Sequence, residues 1–241
     1  MTDLELQYQF QMEDGQHETF DIALDPVTFE GGHTETRDDW PDWSRLAFHQ
    51  CGNCPLTPDQ DPFCPAAQNM VGIVERFANL LSHDKAMVAV HTADRTVSTT
   101  TSVQRGVCSL MGLLMAISRC PRTTFFKTMA RFHLPFASTA ETIWRATSTY
   151  LLAQYFRLQN GEPPDIIFKG LAEFYQSVQI VNLAFSKRLR AACSHDSMVN
   201  AVILLDMFAK SMPLAIDESL EEIRYLFKPY LSREHQTAES T

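Results

Sequence analysis

Leu4, Leu6, Tyr8, Phe10 and Met12 are apolar with polar residues between them, and the alternation resumes at Phe20, Ile22 and Leu24 after Asp14-Gly15. Period-two patterning on both sides of an Asp-Gly turn predicts a β-hairpin with one buried face. Asp25-Pro26 stops its second strand. Met87 to Thr101, with threonine-rich flanks and a turn at Ala93-Asp94-Arg95, predicts a second hairpin. Between the two, Ala66 to Leu81 has helical spacing, whereas Gly31 to Pro65 is rich in Gly, Pro, Asp, Cys and Trp and holds no sustained period. That stretch needs a restraint other than secondary structure.

Beyond residue 102 the pattern changes to a period near 3.6. Val103, Val107, Leu110, Met111, Leu114 and Ile117 mark a helix whose other faces are also largely apolar, which places it at the centre of a helical assembly. Ser102 is the residue type that caps such a helix. Ser138-Thr139-Ala140-Glu141 has the form of a capping box and opens a helix to about Leu158, which Asn160-Gly161 and Pro163-Pro164 end. Ile167, Leu171, Phe174, Val178, Val181, Phe185 and Leu189 predict a long helix with a buried stripe. Asp196 then caps a helix ending near Pro213, and Asp217 to Lys228 forms a last one, acidic at its start and basic at its end.

The expected fold class is therefore α+β. Residues 1–102 carry β-hairpins and the cysteine-rich segment, 103–233 form an all-α helical bundle, and 234–241 are a polar tail. No Pro- or Gly-rich linker separates the halves near residue 102, which predicts one continuous domain. With 45% hydrophobic residues, the 241-residue chain has the composition of a packed globular core.

The formal net charge of −9 argues against a general nucleic-acid binder, and the basic stretches Arg119 to Arg131 and Lys187 to Arg190 read as solvated helix faces. The longest nearly apolar segment, Val107 to Ser118, is far short of the roughly 20 residues a membrane span needs. The opening MTDLELQYQF lacks the basic start and apolar stretch of a secretory signal. A reduced, cytoplasmic chain is expected, as a monomer or a homo-oligomer, with no membrane or nucleic-acid partner.

In such a chain, closely spaced cysteines read as metal ligands before disulfides. His49-Gln50-Cys51-Gly52-Asn53-Cys54-Pro55 and Phe63-Cys64-Pro65 place four soft or borderline ligands within a short irregular segment. Two cysteines separated by two residues turn both sulfurs to one side, and Gly52 suits that turn through its tolerance of left-handed backbone. Cys51, Cys54 and Cys64 form the expected zinc set. His49 is the nearest candidate for the fourth position, against His33, Asp61, Cys108, Cys120 and His133. A closed site of this kind is structural. An iron–sulfur cluster would use the same three cysteines with Cys108 or Cys120. A Cys-x-x-Cys dithiol lacks its usual βαβ context, and buried thiols acting as small apolar groups are the plain alternative.

Titratable groups also gather near a helix break at Arg131, His133 and Glu141, where an acid–base pocket or a packed linker histidine are the two readings. Thr99-Thr100-Thr101-Ser102 lacks the glycines of a nucleotide-binding loop, and no metalloprotease, hydrolase, kinase or dinucleotide motif is present.

The segments HQCGNCPL, CPAAQNM, VQRGVCSLMGLLMA, MARFHLPFAS and SLEEIRYLFKPYL together resemble an uncharacterised family of bacterial proteins. The resemblance implies a cysteine-rich N-terminal segment and a helical remainder, and it carries over no functional residue. The residues themselves point to a non-enzymatic protein in which zinc organises the N-terminal segment and the helical half binds a protein or small ligand. Its rivals are an iron–sulfur or thiol-based sensor, and an enzyme working through Arg131, His133 and Glu141.

Overall fold

Strands β1 (Leu4–Met12) and β2 (His17–Leu24) pair antiparallel from Leu4↔Leu24 to Gln11↔His17, with Gly15 at φ 88 in the turn between them. The computed structural model describes residues 4–32, 37, 39–77, 83–193 and 197–231, with backbone alone at a few of these. The second hairpin, β4 (Lys85–Thr92) and β5 (Thr96–Ser102), joins the first through β1, and the short β3 (Gly31–Gly32) lies along β2. The sheet is five-stranded in the order β3-β2-β1-β4-β5. Its alternation is one-sided: Leu6, Tyr8, Phe10, Phe20, Ile22, Leu24, Val88 and Val90 are buried, and the intervening residues face out.

Helices α1 (Pro65–Phe77) and α2 (Val103–Ile117) cover the buried face. Ser102 caps α2 by accepting from the Arg105 amide. Every one of the six apolar positions that predicted α2 is essentially inaccessible. The cause is its place in the fold, since α2 touches the sheet on one side and α6 on another. Gly106 marks the closest approach, where a Cβ would lie 2.7 Å from the Phe10 ring and 2.9 Å from a Val88 methyl.

The rest of the chain is helical: α3 (Phe126–Arg131), α4 (Thr139–Gln159), α5 (Lys169–Ala192), α6 (Ser197–Ile223) and α7 (Lys228–Leu231), with a 3-10 turn at Arg224–Phe227. The capping box of α4 forms as expected, Ser138 accepting from the Glu141 amide and Glu141 accepting from Ser138. In α5, Leu171, Val178, Val181, Phe185 and Leu189 are buried, but Ile167 lies before the helix and is exposed. Phe168, at φ 60, separates it from the first turn.

One expectation is corrected. The C-terminal pattern does not break at Pro213, because α6 continues to Ile223 while packing against α2, α4 and α5. Tertiary packing outweighs the local penalty of proline. The Asp196 cap, His33 and the 234–241 tail lie outside the described residues. Among the described residues no helix is long and apolar enough to cross a membrane. On α4, Leu151, Leu152, Tyr155, Phe156 and Leu158 are exposed apolar residues.

Candidate functional site

Two places in the fold gather chemistry. The first is the cysteine segment. Ser44 and Leu46 are buried beneath α5, and an isolated bridge between Arg45 and Phe63 closes the segment into a loop. Within it, the Cys54 amide donates to Cys51 O at 3.0 Å, so the Cys-x-x-Cys stretch is one tight turn. Positive φ falls at His49 (47°) and not at Gly52, so the left-handed residue precedes the turn. Asn53 docks that turn on α5 through Ser177 O and Oγ, and Arg122 Nε donates to Asn53 O.

Cys51, Cys54 and Cys64 line one narrow cleft together with Cys120, from the segment after α2. His49 does not line it. That side chain is exposed and stands edge-on to Phe48. Cys64 sits directly before Pro65, the first residue of α1, where proline costs no hydrogen bond. The amides of Ala66 and Ala67 donate to its sulfur, and the Arg122 amide donates to that of Cys120. Burial pushes the Cys51 thiol up to about 12 and raises Cys64 and Cys120 as well, which disfavours reactive thiolates at neutral pH. All six cysteines are free; Cys108 lines the second site, and Cys193 lines neither. Among the described residues, no group of three or more His, Cys, Asp or Glu stands in metal-holding geometry.

Arg188 closes the cleft from α5 and is 1% exposed. Its Nη1 donates to Trp43 O and Arg45 O, each at 2.7 Å, and its Nη2 to Leu46 O at 3.0 Å. Its Nε has no partner among the described residues. The basic stretch Lys187 to Arg190 is therefore not wholly a solvated face. The signal was in the periodicity, for Arg188 lies three residues beyond Phe185 and seven beyond Val181 on the buried stripe of α5.

The second place is a cavity of about 530 Å³, partly open to solvent and lined by residues of α2, α3, α4, α5 and α6. Its wall is mainly apolar, with Leu113, Met115, Phe126, Met129, Val178 and Leu205 prominent. Polar groups enter it at Arg105, Ser109, His133, Arg145 and Asn182. Arg145 Nη2 donates to Met129 O and Phe132 O, and Arg105 donates to Phe136 O; among the described residues neither forms an ion pair, though the Glu141 charge acts on Arg145. Phe136, also on the wall, is held at φ 60, a conformation that strains a bulky residue.

Of the expected acid–base group, only His133 reaches the cavity. Arg131 is exposed over the Phe132 ring, and Glu141 is exposed and held by its capping box, whose Ser138 amide keeps its carboxyl below the usual range. His133 Nε2 shares a 2.5 Å hydrogen bond with Tyr8 Oη, which also bonds Ser109 Oγ at 2.9 Å; Ser109 in turn accepts from the Phe136 amide. Burial, with a smaller contribution from the Arg145 charge, lowers the His133 pKa to about 3. The folded state thus keeps a neutral imidazole while the unfolded chain protonates near 6.5. Stability is full at neutral pH and falls as pH drops from about 6.5 towards 3. Between pH 7 and pH 5 this one group is expected to remove about 2 kcal/mol. Urea unfolding at the two pH values should show that loss in wild type and little of it in His133→Gln. An equal loss in both proteins would contradict the assignment.

A family model described as a domain of unknown function, DUF6901, matches residues 6–228 of the chain. The chain belongs to the DUF6901 family. The match runs from within β1 through α6, and so takes in the cysteine cleft and the cavity. No curated protein and no solved structure matches it.

Proposed function

We propose that the protein is a non-enzymatic binding protein that holds a small amphipathic anion, an apolar body with one acidic head, in the cavity of its helical half. The cavity carries this reading. Its volume of about 530 Å³ is in the range of small-molecule sites, and its wall is apolar with a few convergent polar groups. Arg105 at the rim and the half-buried Arg145 supply two cations, neither in an ion pair with a carboxylate among the described residues, although the Glu141 charge acts on Arg145 from its capping box. A partly desolvated guanidinium attracts an anion more strongly than one in water does, which favours an acidic head over a neutral one.

An acid–base enzyme is less well supported, because Glu141 and Arg131 point their chemistry elsewhere and His133 is engaged by Tyr8.

A fluorescence titration with 8-anilinonaphthalene-1-sulfonate, followed by displacement with decanoate and with decanol, tests the reading. Saturable probe binding is expected, with decanoate displacing it at about tenfold lower concentration than decanol, and Arg145→Gln reducing that preference. Absence of saturable binding, or equal displacement by acid and alcohol, would overturn the proposed ligand class.

A further inference from the structure

Four cysteines from three stretches of chain meet at one cleft: Cys51 and Cys54 on a turn, Cys64 at the head of α1, and Cys120 after α2. They are close enough to interact electrostatically with one another, and Arg188 is close enough to act on Cys51, Cys54 and Cys64. The space between them, about 10 Å³, is about what a single water-sized body occupies.

We infer that Cys51, Cys54, Cys64 and Cys120 form a mononuclear zinc site, with Arg188 as its buried counter-charge. Four thiolates around one zinc ion carry a net charge of −2, and a guanidinium beside them offsets part of it. The same guanidinium otherwise sits 1% exposed on three carbonyls, with its Nε unpartnered and no carboxylate beside it among the described residues, an arrangement that gains from a nearby anion. The Ala66, Ala67 and Arg122 amides are the sulfur-directed donors that orient metal-bound thiolates. The small cleft suits one ion better than an iron–sulfur cluster, whose inorganic sulfides need more room. As they stand, no three of these side chains are placed to hold a metal ion. Binding therefore requires rotation about the cysteine side-chain bonds, and zinc displaces the four thiol protons. Cys120 ties the N-terminal segment to the helical half, a link that His49, exposed and outside the cleft, does not offer.

The full chain, purified under reducing conditions, is assayed for metal content and then, after chelation, loaded with cobalt(II). About one zinc per chain is expected, retained in His49→Ala and in the fold control Cys108→Ser, and largely lost in Cys120→Ser. Cys120→His should keep a metal ion but move the cobalt d–d bands to shorter wavelength, as one nitrogen replaces one sulfur. That shift separates a ligand role from a merely structural one even where Cys120→Ser folds poorly. A metal-free protein without thiolate-to-cobalt charge-transfer bands would overturn the site. So would iron with acid-labile sulfide, a disulfide among the four, loss of metal in His49→Ala, or full retention in Cys120→Ser.

Discussion

Replacing Arg188 by Met is expected to cost about 2–4 kcal/mol, the largest effect of any single substitution considered for this chain. Methionine fills much of the same volume, so the loss is not a cavity effect. It arises because Trp43 O, Arg45 O and Leu46 O each lose a donor from Arg188, the Leu46 O bond being fully buried and the other two partly, while Arg45 O keeps the Phe48 amide. Removing one side of a buried polar arrangement is far worse than removing both, because the carbonyls stay behind. Those three carbonyls belong to the loop that carries Cys51 and Cys54, so the variant should also loosen it. Urea unfolding measures the first effect and limited proteolysis between residues 43 and 65 the second. Arg188→Lys should recover only part, since an ammonium cannot span three carbonyls as a planar fork does. A loss below about 1 kcal/mol in Arg188→Met would show that the loop is held by other means.

Gly112→Leu is expected to do two opposite things. Gly112 lines the cavity on α2, and a Cβ there meets only a Leu205 methyl at 3.5 Å, an ordinary contact. Glycine inside a helix costs about 1 kcal/mol relative to a good helix former, and a leucine projecting into apolar space gains further from burial. The thermal midpoint should therefore rise, while probe and decanoate binding weaken by about tenfold or more. A variant that merely misfolds lowers both. A raised midpoint with unchanged binding would place the ligand elsewhere, and a lowered midpoint would mean that the space is not free to be filled.

The sheet and most helices were legible because their signals are local. Strict alternation at Leu6 to Met12, the Asp14-Gly15 turn, Ser102 at a cap and the Ser138–Glu141 box each concern residues a few positions apart. The missed features depend on the assembled fold. Nothing local about Pro213 says that α6 continues through it, because α2, α4 and α5 support that helix. Nothing near Cys120 says that it faces Cys64, because the approach depends on how α1 and α2 lie on the same sheet. His49 is close to Cys51 in sequence, and its left-handed backbone accompanies a side chain placed in solvent. Arg188 was masked by its charged neighbours, although its spacing from Phe185 and Val181 placed it on the buried stripe. The cavity had no sequence signal, since its wall residues read as ordinary core.

The central claim is that this cavity is where the protein meets its ligand. Methyl-resolved NMR of the methionine, leucine and isoleucine side chains during a decanoate titration tests it most directly. The account predicts saturable shifts at Leu113, Met115, Met129, Leu204 and Leu205, with little change at the exposed Leu151, Leu152, Ile166 and Ile167. No shift at the cavity methyls, or shifts confined to those exposed residues, would contradict it.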